Sequence, residues 1–252
     1  MKSYAFALQK GGTGKSSLAV TIATELAHKG FKTVLVDCDP QGNSSSWLLD
    51  DFDHELADAL KNEDERIDIL ECVYESDIEN LFVVPTFSVG GDLRTVSNTI
   101  RGLKFKKIVV TNLEKHFDYA IFDTSPTFGE FEKSIFIATD EVVPVLRLDE
   151  FSKDGLQIFI RNLKEIDDEL NIKPAFTKIV LNQQDKRLKN EAAYLESYKE
   201  MNKDNQFNLF VIPKDPAFSK AQTLHDVIQN KEFSAKKETL DAITNLAEGL
   251  TK

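Results

Sequence analysis

The chain has 252 residues, 41% of them hydrophobic, enough to bury a substantial core without a staple, so one domain spanning residues 1–252 is expected. Its two cysteines, Cys38 and Cys72, make no C-x-x-C pair, which argues against a disulfide framework or a zinc site, and the absence of a leader-like or membrane-length apolar run suits a soluble cytoplasmic protein. The formal charge of -11 resides in residues 50–79, where thirteen acidic residues meet two basic ones, so the remainder is close to neutral and overall acidity does not exclude a basic surface elsewhere.

Seven apolar runs read as strands: YAFAL (4–8), TVLVD (33–37), LFVVP (81–85), YAIFD (119–123), VVPV (142–145), FTKIVLN (176–182) and NLFVI (208–212). Between them lie helical patterns. Residues 16–28 place Leu18, Ile22 and Leu26 four apart and stop at Gly30. Residues 152–170 set Leu156, Phe159, Ile160, Leu163 and Ile166 on one side, with Ser152 as the expected cap. Residues 234–250 repeat Leu240, Ile243, Leu246 or Ala247, and Leu250, a pattern better suited to core packing than to a membrane surface. Phe6, Phe122 and Phe176 fall inside strands and read as core. Continuous apolar strands alternating with helices imply an α/β fold with a mostly parallel central sheet and helices on both faces.

The segment QKGGTGKSS (9–17) stands between the first strand and the first helix. Strand, glycine loop and helix N-terminus place free backbone N–H groups around an anion, the arrangement of a P-loop nucleotide-binding fold. Gly11, Gly12 and Gly14 permit close approach, with Thr13 and Ser17 in the same cradle. Lys15 would span the β and γ phosphates and Ser16 would offer its hydroxyl to Mg²⁺. The loop departs from the common pattern twice, with Gln9 where glycine is usual and a second lysine, Lys10, at its start.

A magnesium nucleotide also needs carboxylates at strand ends, and parallel strands bring these ends to the loop's edge. Asp123 closes YAIFD and suits Mg²⁺, held directly or through water. Asp37 and Asp39, in VDCDPQGN, are two apart; Asp39 is expected to position the attacking water and Asp37 to support Mg²⁺ or the loop, with Gln41 and Asn43 weaker candidates for contact. Because Lys15 already serves the terminal phosphates, Lys10 is either a solvated lysine or one that crosses to another subunit's phosphates, as an arginine finger does.

KGGTGKSS, VDCDPQGNSS and FDTSPTFG together resemble the deviant Walker A ATPases of the ParA/Soj group, within the wider MinD and ParA class, over nearly the whole chain as far as IPKDPAFSKA (212–221). That resemblance implies a P-loop ATPase whose ATP and Mg²⁺ join two subunits face to face. Lys10 would be the lysine crossing to the partner's ATP, Lys15 the loop lysine, Ser16 a metal ligand, Asp39 the hydrolytic aspartate and Asp123 the second acidic motif. Asn182 would read adenine, with Ile212 and Pro213 packing beside it, and Phe151 would lie near the dimer face.

The resemblance further implies a nucleoid-associated switch for plasmid or chromosome partition, with a homodimer that binds DNA without sequence preference and a ParB-like activating partner. Lys186, Arg187, Lys189, Lys214 and Lys220 are the candidate phosphate contacts, with Lys236 and Lys237 behind them. After IP, where the family often carries arginines and an E-A-P-S-like element, this chain has Lys214, Pro216, Ala217 and SKAQ, a departure that bears more on DNA than on ATP. No helix-turn-helix domain is expected before the first strand. The alternatives are a MinD-like membrane-associated positioning ATPase, disfavoured by the lack of a basic amphipathic tail, and a P-loop metabolic ligase.

Overall fold

The computed structural model describes residues 1–252. In chain order, β1 (Lys2–Ala7), α1 (Lys15–His28), β2 (Thr33–Cys38), α2 (Asn43–Leu48) and α3 (Leu56–Leu60) are followed by β3 (Tyr74–Glu75), β4 (Leu81–Val84) and α4 (Leu93–Val96). A π-helical turn over Lys106–Val110 runs into α5 (Thr111–Leu113); then come β5 (Tyr119–Thr124), α6 (Glu130–Ala138), β6 (Glu141–Arg147) and α7 (Glu150–Leu170). The last elements are β7 (Lys178–Gln184), α8 (Lys189–Met201), β8 (Asn208–Pro213), α9 (Pro216–Thr223) and α10 (Lys237–Thr251).

All eight strands form one sheet in the order β3-β4-β2-β5-β1-β6-β7-β8, parallel except for the β3–β4 pair. Alternate side chains of β1 enter opposite cores, as strand geometry requires. Tyr4 and Phe6 pack with Leu18, Ile22 and Leu26 of α1 and Ile243, Leu246 and Leu250 of α10. Ala5 and Ala7 face Leu56 of α3, Ile135 of α6 and Leu156, Phe159 and Leu163 of α7. The expected two-sided sheet is therefore present, and its seven long strands are those marked by the apolar runs. Helix α1 ends where expected, with Gly30 at φ 88° and Phe31 N–H donating to the Leu26 carbonyl at 3.2 Å.

Several local expectations change. The two-residue β3 carried no strand pattern. Ser152 does not cap α7: Asp149 holds that position, and the buried Ser152 hydroxyl donates to its Oδ1 at 2.8 Å. Ile160 is 40% exposed, and Asn162 is buried instead. Helix α10 begins at Lys237 rather than near residue 234. Phe6 and Phe122 are fully buried, while Phe176 precedes β7 and is half-buried, packing edge-on against Phe159 at 5.4 Å.

Beyond β8, Asp215 fixes the last two long helices relative to one another. Its Oδ1 accepts from Ala217 N–H at 3.0 Å, capping α9, and its Oδ2 accepts from Lys236 N–H at 2.9 Å and the Thr239 hydroxyl at 2.8 Å. Burial alone would raise this carboxyl, but those hydrogen bonds outweigh it and hold it below the ordinary value of 3.8. Asp215→Ala is expected to lower stability by about 3 kcal/mol at pH 7, measured by urea unfolding. Because the folded-state value is depressed, this contribution is present above 3.8 and is lost as pH falls through the folded value, so the gap from wild type narrows in acid.

Candidate functional site

The register of the central strands assembles the site. Asp37 of β2 lies directly beside Asp123 of β5, and Asp123 pairs in turn with Phe6 of β1, just before the glycine loop. Both carboxylates are completely buried. Asp37 is satisfied: its Oδ2 accepts from Ser45 N–H at 2.9 Å and the Ser45 hydroxyl at 2.6 Å, and its Oδ1 accepts from Asp39 N–H at 3.1 Å. The hydrogen bonds of Asp37 hold neither the glycine loop nor a metal: they brace the turn that leads from β2 into α2. Asp123 has no partner on either oxygen. Burial pushes Asp37 up to about 6; burial, then the neighbouring Asp37, pushes Asp123 up to about 8. A cation placed against Asp123 would reverse that rise, so the residue fits Mg²⁺.

Lys15 begins α1 with its side chain buried, and its Nζ donates to the Lys10 carbonyl at 3.2 Å. Burial lowers its pKa, opposed by the charges of Asp123 and Asp39. Ser16 follows it, half-buried, and its hydroxyl opposes the rise at Asp123. The loop thus supplies an ammonium and a hydroxyl close to the bare carboxylate, the donor set of a magnesium–triphosphate site. No three His, Cys, Asp or Glu side chains gather as a metal cage; Mg²⁺ commonly needs only one or two protein carboxylates alongside phosphate and water.

Two glycines are fixed by geometry. Gly14 has φ 89°, and a Cβ there would lie 2.3 Å from Nδ2 of Asn182. Gly42 has φ 61°, and a Cβ would lie 2.5 Å from the Thr86 carbonyl, so the turn between β2 and α2 also needs glycine. A Cβ on Gly11, in contrast, would meet nothing within 4 Å, so the protein itself imposes no close approach there.

The two departures of the loop both point toward α7. The Gln9 Oε1 accepts from Asn162 Nδ2 at 2.5 Å. Lys10 turns away from the cradle, and its Nζ donates to both carboxylate oxygens of Asp149 at 2.7 Å. Burial would raise Asp149, but the bonds from Lys10 and Ser152 outweigh it and lower its pKa. The Phe151 ring centroid lies 5.7 Å from the Lys10 ammonium, and the side chain is 69% exposed beside the loop. Nothing in the sequence marks Asn162 or Asp149, because neither belongs to a motif and their partners lie more than a hundred residues away.

Asn182 lies near the C-terminal end of β7, two residues before the strand stops, and its Nδ2 donates to the Thr13 carbonyl at 2.8 Å while its Oδ1 accepts from Gln183 N–H at 2.9 Å. It therefore braces the loop in this structure, and it also lines a hollow of about 380 Å³ with Ser17, Lys214, Pro216 and Phe218. Pro213 does not line that hollow; it borders the neighbouring one with Asp185, Lys186 and Lys236. Asp39, with its Oδ1 accepting from Gln41 N–H at 2.9 Å, stands on the other side, in a cleft of about 750 Å³ shared with Arg94, Arg101, Ser125 and Thr127.

The candidate DNA contacts divide. Lys186 is paired with Glu238, and Arg187 is paired with Asp185 through Nη2 at 2.6 Å and Nε at 2.8 Å. Lys189, Lys214 and Lys220 are exposed and make none of the chain's ion pairs. No helix is long and apolar enough to cross a membrane.

Residues 1–176 match the protein family described as an AAA domain. The virulence plasmid ParA family protein pGP5-D of Chlamydia psittaci is 33% identical over 177 residues, 68% of this chain and 67% of that protein. The sporulation initiation inhibitor protein Soj of Bacillus subtilis is 28% identical over 225 residues, 87% of each chain. Among solved structures, nucleotide-free McdA of Cyanothece superposes with a TM-score of 0.84 at 17% identity, over 100% of both chains, a likeness of fold. Loop, carboxylates and relatives agree: the chain belongs to the ParA/Soj-type ATPases and is an ATP hydrolase.

Proposed function

We propose that the chain is an ATP-driven switch for the partition or positioning of DNA: two copies close face to face over two magnesium–ATP molecules, the closed pair binds DNA without reading its sequence, and a ParB-like protein stimulates hydrolysis and release. The observation that carries this reading is the direction of Lys10. One lysine, Lys15, is buried in its own cradle, while the second leaves the cradle for the exposed start of α7. A lysine held there by one aspartate is available to a facing subunit once that pair opens.

Within each subunit, the α1 N-terminus and Lys15 would hold the phosphates, and Ser16 and Asp123 would hold Mg²⁺. The ion, when bound, supplies positive charge to the phosphoryl oxygens. Asp39 would orient the attacking water; its carboxylate is braced by Gln41 N–H and borders the 750 Å³ cleft. The base would lie in the hollow beside Asn182, with Lys214 and Phe218 rather than Pro213 forming its wall.

Lys189, Lys214 and Lys220 are the surface cations offered to DNA phosphates without an ion pair to break, whereas Lys186 and Arg187 are each paired within the chain. A cytoplasmic, nucleoid-associated location follows from this reading. The MinD-like alternative would need an apolar surface for lipid, and the apolar face of α10 is occupied by packing against α1 and β8.

With a nonhydrolysed ATP analogue, wild type is expected to double its mass in solution and Lys10→Ala to remain a monomer; monomers in both would sink the two-subunit reading. Asp39→Ala should bind ATP within about twofold of wild type while turnover falls by about 100-fold or more, checked by nucleotide titration and phosphate release. ATP-dependent DNA binding should weaken with salt, and replacing Lys189, Lys214 and Lys220 by glutamate should abolish it, whereas single neutral substitutions should each reduce the salt slope by roughly 0.9. Binding to liposomes without binding to DNA would favour the MinD-like alternative.

A further inference from the structure

One polar side chain beside the bare carboxylate has no partner in the fold. Ser44, the second residue of α2, is completely buried, and its hydroxyl makes no hydrogen bond. Each neighbour in the same short run has a local explanation: the Ser45 hydroxyl donates to Asp37, and the exposed Ser46 hydroxyl donates to the Asn43 carbonyl. Ser44 does not cap α2, whose first turn has no side-chain cap, and it does not bond back to the preceding turn as helical serines often do. A buried hydroxyl left in this condition is costly, and folded chains retain few of them.

The two oxygens of Asp123 are also unpartnered and buried. Ser44 stands near Asp123 as well as Asp37, and its hydroxyl opposes the rise in the pKa of each without reaching hydrogen-bond geometry to either. The unpartnered Ser44 hydroxyl and the two unpartnered oxygens of Asp123 thus lie in one neighbourhood. Magnesium dehydrates reluctantly and keeps several of its waters, so protein oxygens around it commonly act through those waters.

We infer that Ser44 is an additional oxygen of the magnesium site, its hydroxyl accepting from and orienting a water of the ion's shell between itself and Asp123. This rests on the magnesium–nucleotide reading above and goes beyond it by giving the interior of α2 a part in holding the ion. Ser44 is a positioning residue, acting on the metal's water rather than on the phosphates, so the nucleotide's own contacts do not depend on it.

The test is a titration of ADP into the nucleotide-free full chain, wild type and Ser44→Ala, with Mg²⁺ and separately with EDTA; ADP keeps two-subunit assembly out of the measurement. The expected result is equal affinity in EDTA and a magnesium-dependent gain about tenfold smaller in the variant, the size of one lost charge-assisted hydrogen bond. The thermal midpoint of nucleotide-free Ser44→Ala should equal or exceed wild type, because an unpartnered hydroxyl is removed. An undiminished magnesium gain overturns the inference, as does a lower midpoint accompanied by equal losses with and without magnesium, which would make Ser44 a packing residue. If wild type itself gains nothing from magnesium, the magnesium–nucleotide reading fails and this inference falls with it.

Discussion

Two carboxylates buried side by side are the constraint around which this molecule is arranged. Parallel pairing of β1, β5 and β2 brings the loop after β1 and the ends of the other two strands to one edge, and the register sets Asp37 against Asp123. Two like charges in that position cannot both be comfortable. The fold treats them unequally, giving Asp37 three hydrogen bonds and Asp123 none. One carboxylate is thereby spent on shaping the turn into α2, while the other retains an unmet demand for positive charge next to Lys15 and Ser16. Asp123 and Asp39 in turn oppose the lowering of the Lys15 pKa that burial causes.

The loop itself is held by residues remote in the chain. Asn182 fastens the Thr13 carbonyl, Asn162 fastens the Gln9 side chain, and Asp149 takes the Lys10 ammonium. Of these three anchors, Asn162 lies on α7 and Asp149 is its N-cap, so the departures of this loop from the common pattern are also its attachments to that helix. Gln9 stands where the ordinary pattern has glycine because its side chain reaches Asn162, a bond glycine could not make. The tie at Asn182 has a steric counterpart: a Cβ on Gly14 would displace that amide, and the left-handed φ of 89° strains any other residue there. A loop braced this way is largely preorganised, and ordering it on binding costs little conformational entropy.

Much of the fold was legible in the sequence because strands covered on both faces must be apolar along their whole length. The runs from YAFAL to NLFVI mark seven strands, and the eighth, Tyr74–Glu75, escaped because two residues carry no period. Periodicity failed locally where a polar side chain found a specific partner. Asn162 occupies a buried position on α7 because Gln9 receives its amide, while apolar Ile160 lies 40% exposed. Cation counting met a similar limit: Lys186 and Arg187 looked as free as Lys189, and only their spatial neighbours, Glu238 and Asp185, distinguish them.

The sequence by itself determined the class of this protein and the chemistry of its loop, since glycine spacing, a lysine–serine pair and acidic strand ends are local properties that no packing alters. Which aspartate would be satisfied, where Lys10 would point and which serine would be buried without a partner were decided only by the tertiary structure. Those outcomes depend on strand register and on side chains more than a hundred residues apart, and hydrogen-bond satisfaction is a property of the assembled neighbourhood rather than of any residue within it.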